Sequence, residues 1–211
     1  MVAATAERRV PWAGRALCAA GLLFGAATLL RPMGPVPYAG SAIWAGVHVA
    51  WLVAYLLAIT GFLALLPRVV RSSGWGARVG WALALAGTLA ALPVALWDGR
   101  IAPLVAGYWP NPITELNELS IETPMLGLKA LFVYSAIVFC AGYILFGLIW
   151  PRLIGAPRMI DVLIVTGAPL LWAGALGAAG GGMDYWLTSA GAALLGLGMA
   201  WFGARLGARP V

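Results

Sequence analysis

Apolar residues run along this chain in six long stretches, which shorter polar segments separate. Each stretch has roughly the 20 residues that an α-helix needs to cross about 30 Å of hydrocarbon. The pattern therefore predicts an all-α fold, a polytopic transmembrane bundle of six helices. The predicted spans cover residues 15–31, 41–66, 77–97, 127–150, 159–179 and 184–205.

Charged residues alternate in sign across the polar segments. Ten of the thirteen basic residues lie in the two tails and every second linker, whereas Arg31, Arg100 and Lys129 share the other linkers with most of the acids. This is the positive-inside pattern of a multi-pass membrane protein, and it predicts that both termini are cytoplasmic. The net charge of +6 is thus divided between two faces. We therefore reject a nucleic-acid-binding interpretation.

Composition supports a lipid environment for this chain. It is 63% hydrophobic and 9% charged, whereas about a quarter of the residues in a soluble domain are charged. Arg31-Pro32 follows the first apolar run where a signal peptide would have small cleavage-site residues, so the first helix is expected to remain uncleaved. Abundant Arg, Ala and Gly suggest a bacterial protein of the cytoplasmic (inner) membrane.

The predicted organisation is a single transmembrane domain, residues 15–205, between short cytoplasmic tails at 1–14 and 206–211. The one long linker, 98–126, is expected outside the membrane. An ordered loop of this length over a compact bundle often has a function. It could form a lid, a docking surface or a purely structural connection.

Glycines recur at short intervals in several of the spans. Gly21 and Gly25 form a GxxxG pattern in the first span, and the fifth and sixth spans carry further glycines. Small residues let helix backbones approach closely in a bilayer, where the lipid supplies no hydrophobic drive for helix association. We expect these glycines to pack helices within the chain rather than to form a dimer interface.

One face of the second predicted span carries four large side chains. Trp44, His48, Trp51 and Tyr55 recur at intervals of three or four residues, which places them on the same side of a helix. They could line an aromatic pocket in which His48, the only histidine, forms hydrogen bonds. They could equally be a packed aromatic stripe. No cofactor is predicted, although His48 could in principle supply one axial nitrogen to a tetrapyrrole.

Four polar residues are expected near the outer ends of the spans: Asp98, Arg100, Glu122 and Lys129. Each also has a simple structural interpretation, because Asp98 and Arg100 could pair and Lys129 could extend to the interface. If the bundle opens outward, these residues and His48 would surround its mouth. The candidate ligand site is therefore the stripe from Trp44 to Tyr55 together with these four residues, and no metal site is predicted.

Three functional hypotheses follow. The chain has none of the common enzyme motifs and no soluble domain, which favours a non-catalytic accessory or structural subunit that binds partner membrane proteins. The alternative is a small-molecule binding or transport component with an outward-facing pocket. In size, span count and orientation it is similar to the substrate-capture subunits of energy-coupling-factor transporters, a resemblance of gross architecture that implies an ATPase partner. The third hypothesis, a lipid-processing enzyme at the outer leaflet, requires an acid–base pair within hydrogen-bond reach.

Overall fold

The computed structural model describes residues 2–31, 41–72, 74–105, 126–179 and 185–208, and this backbone is helical apart from short connections. Within these ranges, the side chains of residues 2–10, 72, 105, 126, 128, 129, 177–179 and 185 lie outside the description. The helices are α1 (Val2–Leu29), α2 (Ala42–Ser72), α3 (Trp75–Leu96), a π-helical turn (Trp97–Ile101), α4 (Ala102–Val105), α5 (Leu126–Leu153), α6 (Arg158–Ala179) and α7 (Tyr185–Gly207).

Among the described residues, six helical segments are long and apolar enough to cross a membrane. Their most apolar windows have mean hydropathies from 1.3 to 2.4. Helices satisfy all of their own backbone hydrogen bonds, which a lipid environment requires. The predicted all-α fold with six membrane-spanning helices is confirmed, and the protein is a multi-pass integral membrane protein. The cytoplasmic location of its termini stays a prediction.

The six spanning helices form a closed ring. α1, α2, α3, α5, α6 and α7 each pack on their neighbours in this order, and α7 packs back on α1. A Cβ atom built on Gly14 of α1 would lie 2.7 Å from the Cα atom of Gly207 in α7. The beginning of α1 and the end of α7 therefore lie at the same end of the ring.

Glycines form the tightest contacts between these helices. A Cβ atom on Gly21 of α1 would lie 2.9 Å from the Cα atom of Ala200 in α7, and one on Gly167 of α6 would lie 2.8 Å from the Cα atom of Leu195. Each distance is shorter than van der Waals contact, so only a glycine permits the observed separation. The expectation that these glycines pack helices within the chain is confirmed.

Hydrogen bonds of indoles and hydroxyls connect neighbouring helices. Trp81 Nε1 donates to Phe62 O at 2.8 Å, which joins α3 to α2, and Trp150 Nε1 donates to Ala77 O at 3.0 Å, which joins α5 to α3. The Thr88 and Tyr143 hydroxyls lie 2.9 Å apart in the buried interface of α3 and α5. These bonds leave fewer polar groups for lipid to accommodate.

Asp161 lies in the first turn of α6, near the end of the ring that holds the beginning of α1. Its carboxylate is buried and accepts a hydrogen bond from Arg152 Nε at 2.9 Å. A carboxylate in the first turn of a helix and beside an arginine is favourable without any further role. These contacts give Asp161 a structural role at the beginning of α6.

Candidate functional site

A cavity of about 60 Å³ lies inside the ring, at the end where α1 ends and α2 begins. Five of the six spanning helices contribute to its wall, together with Arg31 just after the end of α1, so the cavity is central in the bundle. Most of the wall is apolar, and a few polar groups converge on it. The lining residues are Arg31, His48, Trp51, Tyr55, Ala91, Val94, Ala95, Asp98, Phe132, Leu171, Trp172, Ala175 and Thr188.

The aromatic stripe of α2 faces the interior of the ring. Trp44, His48, Trp51 and Tyr55 are each less than a tenth exposed, as their shared helix face predicts. The His48 ring lies between two indoles, with ring centroids 4.1 Å from Trp44 and 5.0 Å from Trp51. His48, Trp51 and Tyr55 line the cavity, and Trp44 packs beside them.

His48 and Asp98 face each other across the α2–α3 interface. His48 Nδ1 donates to Trp44 O at 2.9 Å, because a carbonyl oxygen can only accept. His48 Nε2 is therefore the nitrogen that faces Asp98, at 3.7 Å from Oδ2. The Trp44 indole donates to the backbone oxygen of Asp98 at 3.0 Å and fixes this part of the chain on α2.

A π-helical turn places Asp98 in the wall. The helical backbone continues after α3 through this turn, past the predicted end of the third span at residue 97, and Ala102 N–H donates to Trp97 O across the turn. Gly99 packs on α2, since a Cβ atom there would lie 3.0 Å from His48 Cβ and 3.1 Å from Val49 N. Single π-helical turns within α-helices occur frequently at functional sites. The remainder of the predicted outer loop, 106–125, lies outside the described residues.

Arg31 is the most important wall residue that sequence reasoning missed. It follows the end of α1 and is only 7% exposed. Its guanidinium lies over two indoles, with Cζ 5.2 Å from the ring centroid of Trp44 and 5.5 Å from that of Trp51. Both distances are in the range of a cation–π interaction. The one available signal was a lone arginine directly after an apolar span, which an interfacial anchor would also give.

α1 also supplies a hydroxyl that fixes one of these indoles. Thr28 Oγ1 donates to Phe24 O at 2.7 Å and accepts a hydrogen bond from Trp51 Nε1 at 3.2 Å. Phe24 stacks on Trp51, with ring centroids 4.9 Å apart. Contacts with α1 therefore fix the position of Trp51, one of the two indoles that the Arg31 guanidinium contacts.

Trp172 of α6 and Phe132 of α5 form the opposite wall, and sequence reasoning missed both. Their ring centroids are 5.2 Å apart in an edge-on arrangement. Trp172 is 5% exposed, and its Nε1 has no hydrogen-bond acceptor within the part of the chain that the structure describes. An indole N–H buried without an acceptor is costly. Trp172 therefore combines an indole donor without an acceptor and a place in the cavity wall.

The other predicted site residues are not brought into this wall. Arg100 lies in the same π-helical turn as Asp98, but it is exposed and does not line the cavity. Lys129 belongs to α5, with its side chain outside the description, and Glu122 lies outside the described residues. The structure thus brings together His48, Trp51, Tyr55 and Asp98 of the predicted set and adds Arg31.

The cavity limits what His48 could bind. Because His48 Nδ1 is bonded to the backbone, only Nε2, which faces the Asp98 carboxylate, could bind a metal. A volume of about 60 Å³ leaves no room for a tetrapyrrole beside the His48 imidazole. Among the described residues, no three His, Cys, Asp or Glu side chains are grouped as metal ligands.

What the arrangement can do chemically is hold a small polar molecule. Four residues with polar side chains, Arg31, His48, Asp98 and Trp172, line one small cavity with aromatic walls. Ligand sites in proteins typically combine apolar walls with a few placed polar groups of this kind. Comparison of the chain with known protein families, with curated proteins and with solved structures found no match.

Proposed function

We propose that this membrane protein binds a small polar molecule in the cavity formed by Arg31, His48 and Asp98. The observation that carries the proposal is a buried guanidinium and a half-buried carboxylate that line one cavity inside a lipid-embedded bundle. Ionisable residues inside membrane proteins are costly, and they commonly mark ligand or ion sites.

Stability alone gives no reason for these side chains. Charged groups inside a protein are often no more stabilising than apolar side chains of the same volume, because desolvation offsets the attraction between opposite charges. Apolar residues could fill this part of the bundle interior as they fill the rest of it, where Phe62, Phe139 and Phe146 are fully buried. The polar cluster is therefore better explained by a ligand than by packing.

The accessory-subunit hypothesis depended on the absence of recognisable chemistry in the sequence. The cavity supplies such chemistry, so this argument no longer favours a purely structural role, which stays a prediction. The enzyme hypothesis required an acid–base pair within hydrogen-bond reach; His48 Nε2 and Asp98 Oδ2 are 3.7 Å apart, and an outer-leaflet enzyme stays a prediction. Capture of a ligand for transport, with an ATPase partner, also stays a prediction.

A cavity-filling variant tests the binding proposal directly. Ala95 of α3 is buried and lines the cavity, whereas Ala82 of the same helix is exposed on the outside of the ring. Ala95→Leu should fill the cavity, and Ala82→Leu adds the same side chain elsewhere as a matched control. A panel of small organic acids, amines, amides and amino acids would be screened by thermal shift of the protein in nanodiscs.

A compound at 100 times its Kd stabilises a protein by about 2.7 kcal/mol, which for this size raises Tm by roughly 5–10 °C. We expect at least one compound to shift wild type and Ala82→Leu equally and to leave Ala95→Leu unchanged. Equal shifts in all three proteins, or no shift from any compound, would show that the cavity is not a binding site.

A further inference from the structure

We infer that the ligand is a small zwitterion, a molecule that carries a carboxylate and an ammonium group and has no net charge. This inference rests on the proposed binding function and names its substrate class. Three features of the cavity support it: its volume, the balance of charge in its wall, and the positions of the donor and acceptor groups.

The volume sets the size of the ligand. Each water molecule needs about 10–15 Å³ of cavity space on this measure, so about 60 Å³ holds roughly four to six non-hydrogen atoms. Drug-sized ligands occupy pockets of about 300–1,000 Å³ and are therefore too large. An α-amino acid with a very small side chain, such as glycine or alanine, has the required size.

The charge balance of the wall sets the net charge of the ligand. Arg31 and Asp98 both line the cavity, and a guanidinium and an ionised carboxylate have opposite charges. A ligand with a single charge would leave one of them facing a like charge in a medium of low dielectric constant, which is unfavourable. A zwitterion gives each of them an opposite charge and adds no net charge to the interior of the membrane.

The geometry favours a carboxylate at Arg31. The guanidinium lies within cation–π distance of the Trp44 and Trp51 indoles and lines the cavity. The N–H groups of a planar guanidinium match the two oxygens of a carboxylate, and charge-assisted bonds of this type are about twice as strong as neutral ones. Trp172, which lines the same cavity, also has an indole N–H without an acceptor among the described residues.

The opposite charge of the ligand belongs at Asp98. Its Oδ2 lies on the His48 side of the cavity, and a neutral His48 offers Nε2 as a second acceptor for an ammonium group. The neighbouring aromatic rings also favour a cation. For a ligand of this size, the binding free energy available per atom limits Kd to roughly the micromolar range or weaker.

The test compares four probes of similar size: glycine for the zwitterion, acetate for the anion, ethylammonium for the cation and acetamide for the neutral molecule. Binding to the protein in nanodiscs would be measured by equilibrium dialysis with radiolabelled compounds. We expect wild type to bind glycine at least tenfold more tightly than each of the other three probes.

Two variants exchange the preferred charge. Arg31→Gln removes the cation of the wall, so it should weaken glycine binding at least tenfold while ethylammonium binds as well as before or better. Asp98→Asn removes the anion, so it should weaken glycine binding to a similar degree and improve acetate binding. Arg100→Gln is the matched control, because Arg100 is exposed beside Asp98 and does not line the cavity. It should retain the wild-type preference.

The outcomes separate the two proposals. If acetate, ethylammonium or acetamide binds wild type best and Ala95→Leu abolishes that binding, the cavity is a ligand site but the zwitterion inference is wrong. If neither these probes nor the wider panel bind, both proposals are wrong. A uniform loss of all four probes in both charge variants would show that Arg31 and Asp98 only support the structure. If a variant does not fold, the preference of wild type among the four probes still tests the zwitterion inference.

Discussion

The contact between α6 and α7 allows a quantitative test of the ring. A Cβ atom on Gly191 of α7 would lie 2.6 Å from Leu170 C and 2.7 Å from Leu171 Cα, and it would also contact Leu171 N. Ordinary contact begins at 3.4 Å. All three atoms belong to the backbone, so Gly191→Ala can be accommodated only if the two helices move apart.

The expected cost follows from two opposing effects. Overpacking a core costs typically 1–3 kcal/mol, and three backbone contacts place this site near the upper value. Replacing a helical glycine by alanine returns about 1 kcal/mol. We therefore expect Gly191→Ala to lower the free energy of unfolding by about 2 kcal/mol. The matched control is Gly46→Ala on α2, where a Cβ atom would meet nothing within 4 Å. This control should raise the free energy of unfolding by up to about 1 kcal/mol.

The assay is reversible denaturation by SDS in mixed micelles, followed by tryptophan fluorescence, with ligand binding as a second measurement. Separation of α6 from α7 should also displace Leu171 and Trp172 from the cavity wall, so Gly191→Ala should bind glycine less tightly than Gly46→Ala. If the two alanine variants are equally stable, the close approach of α6 and α7 is not as described and the reasoning is refuted.

Three further predictions concern other parts of the bundle. In a double-mutant cycle of Thr88→Val and Tyr143→Phe, the denaturation assay should give a coupling energy of about 0.6 kcal/mol and at most about 1.7, since the two hydroxyls lie 2.9 Å apart. No coupling would contradict this bond. Arg152→Gln should lower Tm more than Asp161→Asn, because it leaves the buried carboxylate of Asp161 without its arginine. The reverse order would contradict this. For topology, a C-terminal green fluorescent protein fusion should fluoresce and alkaline phosphatase inserted at Glu115 should be active, and the opposite pattern would place the termini outside.

The fold was largely predictable because a bilayer imposes strong constraints on sequence. Long apolar runs between polar linkers have few alternatives to membrane-spanning helices. The close approaches of Gly21 and Gly191 were also indicated, since glycines recur on short intervals in these spans. The order of the helices in the ring was not predictable. A glycine pattern indicates that another helix packs closely on that span, but it does not identify which helix.

The site was predictable only where its residues share one helix. Trp44, His48, Trp51 and Tyr55 follow the period of α2, so their common face could be read from the sequence. Arg31 could not be assigned to the cavity, because an arginine after an apolar span has the same sequence pattern whether it lies at the lipid interface or folds back between two indoles.

The site of Arg31 also has a consequence for the order of assembly in the membrane. Trp44 and Trp51, which cover its guanidinium, both belong to α2, the next helix to be synthesised. The bond from Trp51 to Thr28 also joins these two helices. The α1–α2 hairpin can therefore shield its own cation before the third span is inserted. Asp98, the opposite charge of the wall, then joins a pair of helices that already holds Arg31 in place.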